Sequence, residues 1–243
     1  MSNELSQIKR QKWFYEFSLP DGTKTESYLP EVARQIHPTR EKALRKYLEG
    51  SQGVFNDALD ISCHEGYFSL VLTDYFPSVV GIDKNADSLQ KAKQISKVMG
   101  RQNIGFSNST LEDWPVQQGA DFVLCYGLLY HVENPIEVLR KVSALTRKAV
   151  CIETQVLPFS LSGPIEDGSY QWQRDIQGLF GLCMDYSQRP EGGMTDLALI
   201  PSRNGLEFLL KQFGFKSVSY YAPESSDYEQ FSRGHRVILF AEK

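Results

Sequence analysis

The chain has 243 residues, and several features are missing from them. No run approaches about 18 uninterrupted apolar residues, so no membrane-spanning helix is expected. The first residues, MSNELSQIKRQKW, lack the apolar core of a secretory leader. There are only four cysteines, Cys63, Cys125, Cys151 and Cys183. None is spaced CxxC and no Cys–His cluster has zinc spacing, so neither a disulfide framework nor a metal site is expected. Reduced thiols in a cytoplasmic protein fit that pattern. Basic residues do not exceed acidic ones: Lys and Arg number 26 and Asp and Glu 30, giving a net charge of -4. That balance argues against a nucleic-acid footprint. Neither GxGxxG nor GxxxxGK[ST] occurs, which excludes two common phosphate cradles. No internal repeat or low-complexity tract is present.

What is there has an ordinary globular composition, 41% hydrophobic and 23% charged. A chain of this length makes one large domain that buries about three quarters of its unfolded surface. The stretch Ala58–Ser69, ALDISCHEGYFS, is an apolar run ending in Asp60, then a turn, then the start of a helix. A second apolar run, VVGID, ends in Asp83. Two strands that end in carboxylates, joined by one helix, make a nucleoside-binding βαβ unit.

The pattern around it alternates. Strands are expected at 56–61, 79–83, 103–107, 121–126 and 149–154, with helices at 66–76, 86–99 and 135–146 between them. Such alternation implies right-handed crossovers and a mostly parallel sheet covered on both faces, an α/β fold. Phe122-Val123-Leu124-Cys125 is continuously apolar, as a doubly covered strand should be. Residues 1–12 read as polar and frayed. Residues 13–25 read as a hairpin-like arm around Asp21-Gly22, and residues 31–48 as a helix with Ala43, Leu44, Tyr47 and Leu48 on one face. We take 1–53 as an N-terminal arm and helix that pack on the core, and 54–243 as the main domain. Within it, 156–200 is an insertion rich in Gly, Ser, Pro and aromatics, with the character of a lid. A helix at 202–213 and strands at 216–221 and 235–241 complete the domain.

In open parallel sheets, ligands sit beyond the carboxyl ends of the strands. Asp83 lies about 20 residues past the first turn, where an acid can accept both ribose hydroxyls. The turn itself carries acids nearby, Asp60 and Glu65, where a phosphate loop would bring a lysine. Carboxylates there suit a nucleoside bearing an α-ammonium, so S-adenosyl-L-methionine (SAM) is expected as cofactor rather than NAD or ATP.

ALDISCHEGYFS followed by VVGID resembles the first two motifs of the class I SAM-dependent methyltransferases, and FVLCYGLLYHVENPIEVLRKV resembles their fourth. The resemblance implies a Rossmann-like doubly wound sheet of seven strands in the order 3-2-1-4-5-7-6, the last antiparallel. A closer similarity is to relatives of the bacterial tRNA wobble-uridine carboxymethyltransferases. It is carried by KWFYEFSLPDG, GLLYHVENPIEVL with VCIETQV, MTDLALIPSRNGLEFLLKQFGF and HRVILFAEK. It implies cofactor-pocket positions at Ser62, Asp83, Lys84, Asn85, Leu111, Glu112, Tyr126, Tyr130 and Arg236. Asp60, Cys63 and Gly66 join them from the first turn. Ser62 and His64 stand where the family has glycines. The family's WxxxxK pattern is absent from 30–53, where Arg40 is the nearest basic residue, so ordinary SAM is expected rather than a carboxylated form.

For catalysis the candidates are His131, as a base for an oxygen nucleophile, and Tyr130, shaping the pocket. His64 is a candidate for cofactor contact only. Arg236, Trp172 and Glu153 are acceptor-binding candidates, with Tyr186 and Arg203 behind them. The absence of [DNS]PP[YFW], which clamps exocyclic amines in many nucleic-acid N-methyltransferases, favours an oxygen acceptor or a nitrogen held in a different geometry. The leading expectation is methyl transfer to a small molecule such as a sugar, nucleoside or secondary metabolite. The alternatives are the same chemistry on RNA and a non-catalytic SAM-fold binding protein.

Overall fold

A computed structural model of the chain describes residues 2–51, 55–167, 172–186 and 195–243. The chain enters through α1 (Ser2–Arg10), β1 (Lys12–Trp13), β2 (Glu26–Ser27), α2 (Glu31–Arg34) and α3 (Ile36–Gly50). Then come β3 (Asp57–Ile61), α4 (Tyr67–Leu72), β4 (Ser78–Asp83), α5 (Ala86–Val98) and β5 (Ile104–Asn108). β6 (Ala120–Tyr126), α6 (Pro135–Leu145) and β7 (Thr146–Gln155) follow. Four short strands, β8 (Gly163–Asp167), β9 (Trp172–Ile176), β10 (Phe180–Met184) and β11 (Leu197–Pro201), make up the insertion. α7 (Arg203–Gln212), β12 (Ser217–Tyr220), α8 (Glu229–Ser232) and β13 (Arg236–Glu242) complete the described chain.

Seven strands form one sheet in the order β12-β13-β7-β6-β3-β4-β5. β13 runs antiparallel to both its neighbours, while the other pairings are parallel. This is the seven-stranded order expected above. β6 is buried at every position. Phe122, Leu124 and Tyr126 join the apolar cluster on one face, and Val123 and Cys125 the cluster on the other. That period-2 division is why the strand reads as an unbroken apolar run. α6 and α7 cover the second face through Leu139, Val142, Leu206 and Leu210. The helix starts carry their own signals: Asn85 caps α5 by accepting from the Asp87 and Ser88 amides, and Ser202 caps α7 by accepting from Gly205 N.

Three local features differ from the sequence expectation. Residues 2–10 are helical rather than frayed. Ile8 is 1% exposed, and its carbonyl accepts from Trp13 Nε1. With only Leu5 and Ile8 to mark it, the helix is too short for periodicity to register. Residues 13–25 hold the hairpin-like arm around Asp21-Gly22, with Ser18 opposite Lys24 in an antiparallel bridge and Leu19 N donating to Thr23 O, but the segment adds a parallel pairing of β1 with β2 that the sequence pattern does not indicate. The insertion carries two antiparallel hairpins, β8–β9 and β10–β11, within a composition that reads as structureless. The N-terminal segment packs through Trp13, Tyr15, Phe17 and Leu44 into the same cluster as Phe122 and Leu124.

Candidate active site

The turn after β3 holds three residues in the left-handed region within five positions: Ser62 at φ 58°, His64 at 52° and Gly66 at 77°. For a non-glycine residue that conformation costs about 1–2 kcal/mol. The turn therefore keeps a backbone shape that suits glycine while two of the three positions carry side chains. Its hydrogen bonds hold it there. Cys63 N donates to Ile82 O (3.0 Å) and Gly66 N to Cys63 O (2.8 Å). His64 N donates to Asp83 Oδ2, and Asn85 N to Asp83 Oδ1, both at 2.8 Å. Asp83, at the end of β4, thus ties the two neighbouring loops together. At Gly66 a Cβ would meet Phe106 at 2.9 Å and Ala92 at 3.0 Å, so glycine is required on two counts.

The other carboxylates of the turn work inside the protein. Asp60 is 2% exposed and accepts from Ser69 Oγ at 2.5 Å. Burial pushes its carboxyl up to about 7, with Ser69 opposing and Asp83 adding. Glu65 is buried; its Oε2 accepts from Phe14 N (2.7 Å) and Tyr15 N (3.3 Å), and its Oε1 pairs with Lys91 (2.8 Å). Of the acids in this region, Asp83 is the one at the strand end. The Cys63 thiol is buried beneath the turn, whereas Ser62, Lys84 and Asn85 are exposed. Leu111 is buried, and Glu112 is exposed with its carbonyl accepting from Lys141 Nζ. The His64 ring packs against Phe14 at 4.8 Å between centroids.

The far side of the same edge is built by β6, β7 and β13. Tyr126 is buried and donates its hydroxyl to Arg40 O at 3.2 Å. Gly127, at φ 72°, turns the chain into a 3-10 turn, Leu129–His131. Beneath that turn lies a buried ion cluster. Glu153 is fully buried, with one oxygen paired to Arg40 Nη2 and the other to Arg236 Nη1 at 2.9 Å. Burial alone would raise the Glu153 pKa; Arg40 and Arg236 outweigh it and hold the carboxyl below its ordinary value. Arg236 Nε also donates to Gln230 Oε1 at 2.6 Å, and its guanidinium lies over the Tyr130 ring at 4.6 Å. The Tyr130 hydroxyl is 3.5 Å from Arg40 Nη2.

His131 stands next to Tyr130, with ring centroids 4.3 Å apart. Its Nδ1 is 2.7 Å from Asp185 Oδ1, in the loop after β10. Burial lowers its pKa against the pull of Asp185, with Arg236 adding and Glu153 opposing. The structure thus brings His131, Tyr130, Glu153 and Arg236 together, with Asp83, Lys84, Asn85 and Tyr126 on the same edge. Arg203 lies apart, its guanidinium over the Tyr220 ring at 3.8 Å, and Tyr186 is exposed on the insertion. The Trp172 expectation rests on a side chain outside the described residues. Two residues of this site, Arg40 and Asp185, are not marked as such by the sequence. Arg40 stands out there only as a basic residue near a missing motif, and Asp185 not at all. No motif spacing links either to its partner. Among the described residues no group of His, Cys, Asp or Glu is placed to hold a metal ion, and no helix is long and apolar enough to cross a membrane.

A seven-stranded sheet of this order, with its last strand antiparallel, is the Rossmann-like fold of the SAM-dependent methyltransferases. Residues 56–171 match the family model described as a methyltransferase domain. Among curated proteins, the chain is similar to a tRNA U34 carboxymethyltransferase of Campylobacter fetus, 25% identical over 70% of this chain and 55% of that protein. It is also similar to a ubiquinone biosynthesis O-methyltransferase of Vibrio campbellii, 30% identical over 46% of this chain and 48% of that one. The chain spans about half the length of these relatives. Among solved structures, the N-terminal domain of EvdMO1, in the presence of SAH and D-fucose, superposes with a TM-score of 0.69. It is 18% identical and aligned over 99% of this chain and 94% of that one. The magnesium protoporphyrin IX methyltransferase of Synechocystis, with bound SAM, gives 0.58 at 14% identity, over 90% and 86%.

Proposed function

We propose that this protein uses SAM to methylate an oxygen of a small-molecule acceptor such as a sugar, nucleoside or secondary metabolite. The residues at the first turn fit that cofactor. Asp83 is oriented by two backbone amides at the strand end, and the turn carries no lysine of a phosphate cradle. Asp83 would hold the ribose, while Asn85, Leu111 and Glu112 would flank the nucleoside. When bound, the cofactor supplies an electrophilic sulfonium methyl group.

The observation that carries the oxygen acceptor is His131. It is a half-buried imidazole at the carboxyl end of β6, with a depressed pKa that keeps it neutral near pH 7. A neutral imidazole takes the proton of an acceptor hydroxyl as the oxygen–carbon bond forms and the carbon–sulfur bond breaks. Tyr130, pinned by Arg236 on its face and Arg40 at its hydroxyl, gives the acceptor a rigid wall, and most of the acceleration comes from such positioning. Glu153 and Arg236 serve that wall from below; both Glu153 oxygens are already taken by guanidinium groups. A relative named as an O-methyltransferase supports the choice of oxygen.

A second reading, transfer to RNA, draws on the similarity to a tRNA U34 carboxymethyltransferase. The net charge of -4 weighs against it, because phosphate binding needs clustered Lys and Arg. Labelled SAM incubated with the protein and either a small-molecule metabolite fraction or bulk tRNA separates the two. Label is expected in small molecules only. Label in tRNA alone would replace this reading with the second one, and failure of calorimetry to detect SAM or S-adenosylhomocysteine binding would overturn both.

A further inference from the structure

The β10–β11 hairpin reads as a cover over the sheet edge, yet it brings a chemical group to the base. We propose that Asp185 is the positioning residue for His131: it accepts the Nδ1 proton, fixes that tautomer and leaves Nε2 bare as the proton acceptor. The inference rests on His131 being the base, but it concerns an acid–base state that exists without cofactor or acceptor.

The geometry is specific. The 2.7 Å contact is to Nδ1, and a carboxylate can only accept, so Nδ1 must be the protonated nitrogen. The neutral ring then has its lone pair at Nε2. Asp185 is 8% exposed at its side chain, so little water competes for the bond. Two further hydrogen bonds fix where the carboxylate stands. Leu199 N, on β11, donates to Val132 O, directly after His131, at 3.1 Å. Asp185 N donates to Asp196 O at 2.9 Å, which continues the hairpin ladder past Met184 and Leu197. Hairpin and histidine turn are therefore joined by one backbone bond and one side-chain bond, and the carboxylate is held where the ladder puts it.

Among the described residues, the other groups facing His131 are Arg236 from β13, Glu153 from β7 and Tyr130 from its own turn. Arg236 and Glu153 act on the ring in opposite directions through space, while Asp185 bonds to it directly. During transfer the acceptor's hydroxyl proton arrives at Nε2, and the ring becomes an imidazolium facing the Asp185 carboxylate. The same residue thus sets the resting tautomer and stabilises the charge that forms. A hairpin moved away from the sheet edge would leave the histidine in place without its selected nitrogen, so docking of the insertion assembles the base.

The test is a long-range 1H–15N spectrum of the full-length 15N-labelled protein, in which only four histidines contribute. A His131→Gln variant identifies the signal. Wild type should show His131 protonated at Nδ1 and bare at Nε2 above its pKa. Asp185→Asn offers an amide hydrogen to Nδ1; it should move the proton to Nε2 and lower the His131 pKa, and Asp185→Glu should restore both. In the labelled-methyl assay, Asp185→Asn should lower kcat by roughly 100- to 10,000-fold, as loss of a general base does, with acceptor KM and S-adenosylhomocysteine affinity little changed. An Nε2-protonated His131 in wild type overturns the proposal. So does an unchanged tautomer and pKa in Asp185→Asn. Should Asp185→Asn fail to fold, the wild-type tautomer and the Asp185→Glu spectrum decide. If wild type binds no SAM, the methyl-transfer reading fails while the tautomer result stands separately.

Discussion

Replacing Glu153 with Gln is the sharpest perturbation available in this fold. The substitution keeps the size of the side chain and removes its charge. Glu153 is 0% exposed and is the shared partner of two guanidinium groups, which are themselves 7% and 10% exposed. Gln offers one acceptor oxygen where there were two, and it turns an amide N–H toward one of the arginines. Breaking a buried ion pair by removing one partner costs about 3–5 kcal/mol, because the charge left behind stays desolvated. A domain of this size loses about 2–4 °C in Tm per kcal/mol, so a fall of about 6–20 °C is expected by thermal circular dichroism. The acid side adds a second signature. The folded-state pKa of Glu153 is depressed, so its contribution is fully present above the ordinary carboxylate value, about 4.3, and is lost as pH falls through the lower folded value. The gap between wild type and Glu153→Gln should therefore close toward low pH. A combined Arg40→Met, Glu153→Leu, Arg236→Met variant removes all three charges at once and should recover most of the lost stability. A Glu153→Gln protein melting within about 2 °C of wild type would refute the reasoning, as would a triple variant less stable than the single one.

Three further outcomes follow from the site. Asp83→Ala removes the acceptor of the His64 and Asn85 amides and the group proposed for the ribose; calorimetry should show S-adenosylhomocysteine affinity reduced by at least about tenfold, the equivalent of one charged hydrogen bond. Gly66→Ala places a Cβ against Phe106 at 2.9 Å in a left-handed backbone; it should destabilise by about 1–3 kcal/mol in a denaturant titration, and a neutral result would mean that α4 shifts freely. Transfer activity should hold through pH 7 and fall only as pH drops below the ordinary histidine value of 6.5, since burial lowers the His131 pKa; an acid limb centred above 6.5 would place the titration on another group.

The parallel core of the fold could be read from the chain because each of its strands is a local apolar run and each crossover helix is locally periodic. β3 through β7 and α5 through α7 fall within a few residues of where pattern and caps put them. α1 could not be read, since Leu5 and Ile8 are covered by elements distant in sequence: α1 packs against α5 and joins the cluster that holds Trp13. Nor could β8 to β11, whose pairing rests on register between short strands of mixed composition. Asp83 was legible as a strand-end acid. Asp60 and Glu65 were legible as acids, but not as acids facing inward; that depends on Ser69, Phe14 and Tyr15 arriving from other elements. Arg40 with Glu153 and His131 with Asp185 meet across 113 and 54 positions, and no spacing rule operates over such distances.

The Arg40–Glu153–Arg236 cluster also sets an order of assembly. Synthesis proceeds from the N-terminus, and domains begin folding as they emerge. When β7 has been made, Arg40 is already present, but Arg236 lies 83 positions ahead of Glu153. β12 is made before β13, yet it joins the sheet only through β13, which slots between it and β7. Until then, β7 is an open edge with an ion pair at its end and no antiparallel partner, the kind of strand edge other chains can pair with. A ribosome stalled before residue 236 would hold a parallel sheet with most of its apolar core and half a charge cluster. Its Tyr130 would lack the cation that lies across its face. The seating of β13 is therefore the event that turns a folded sheet into a formed site.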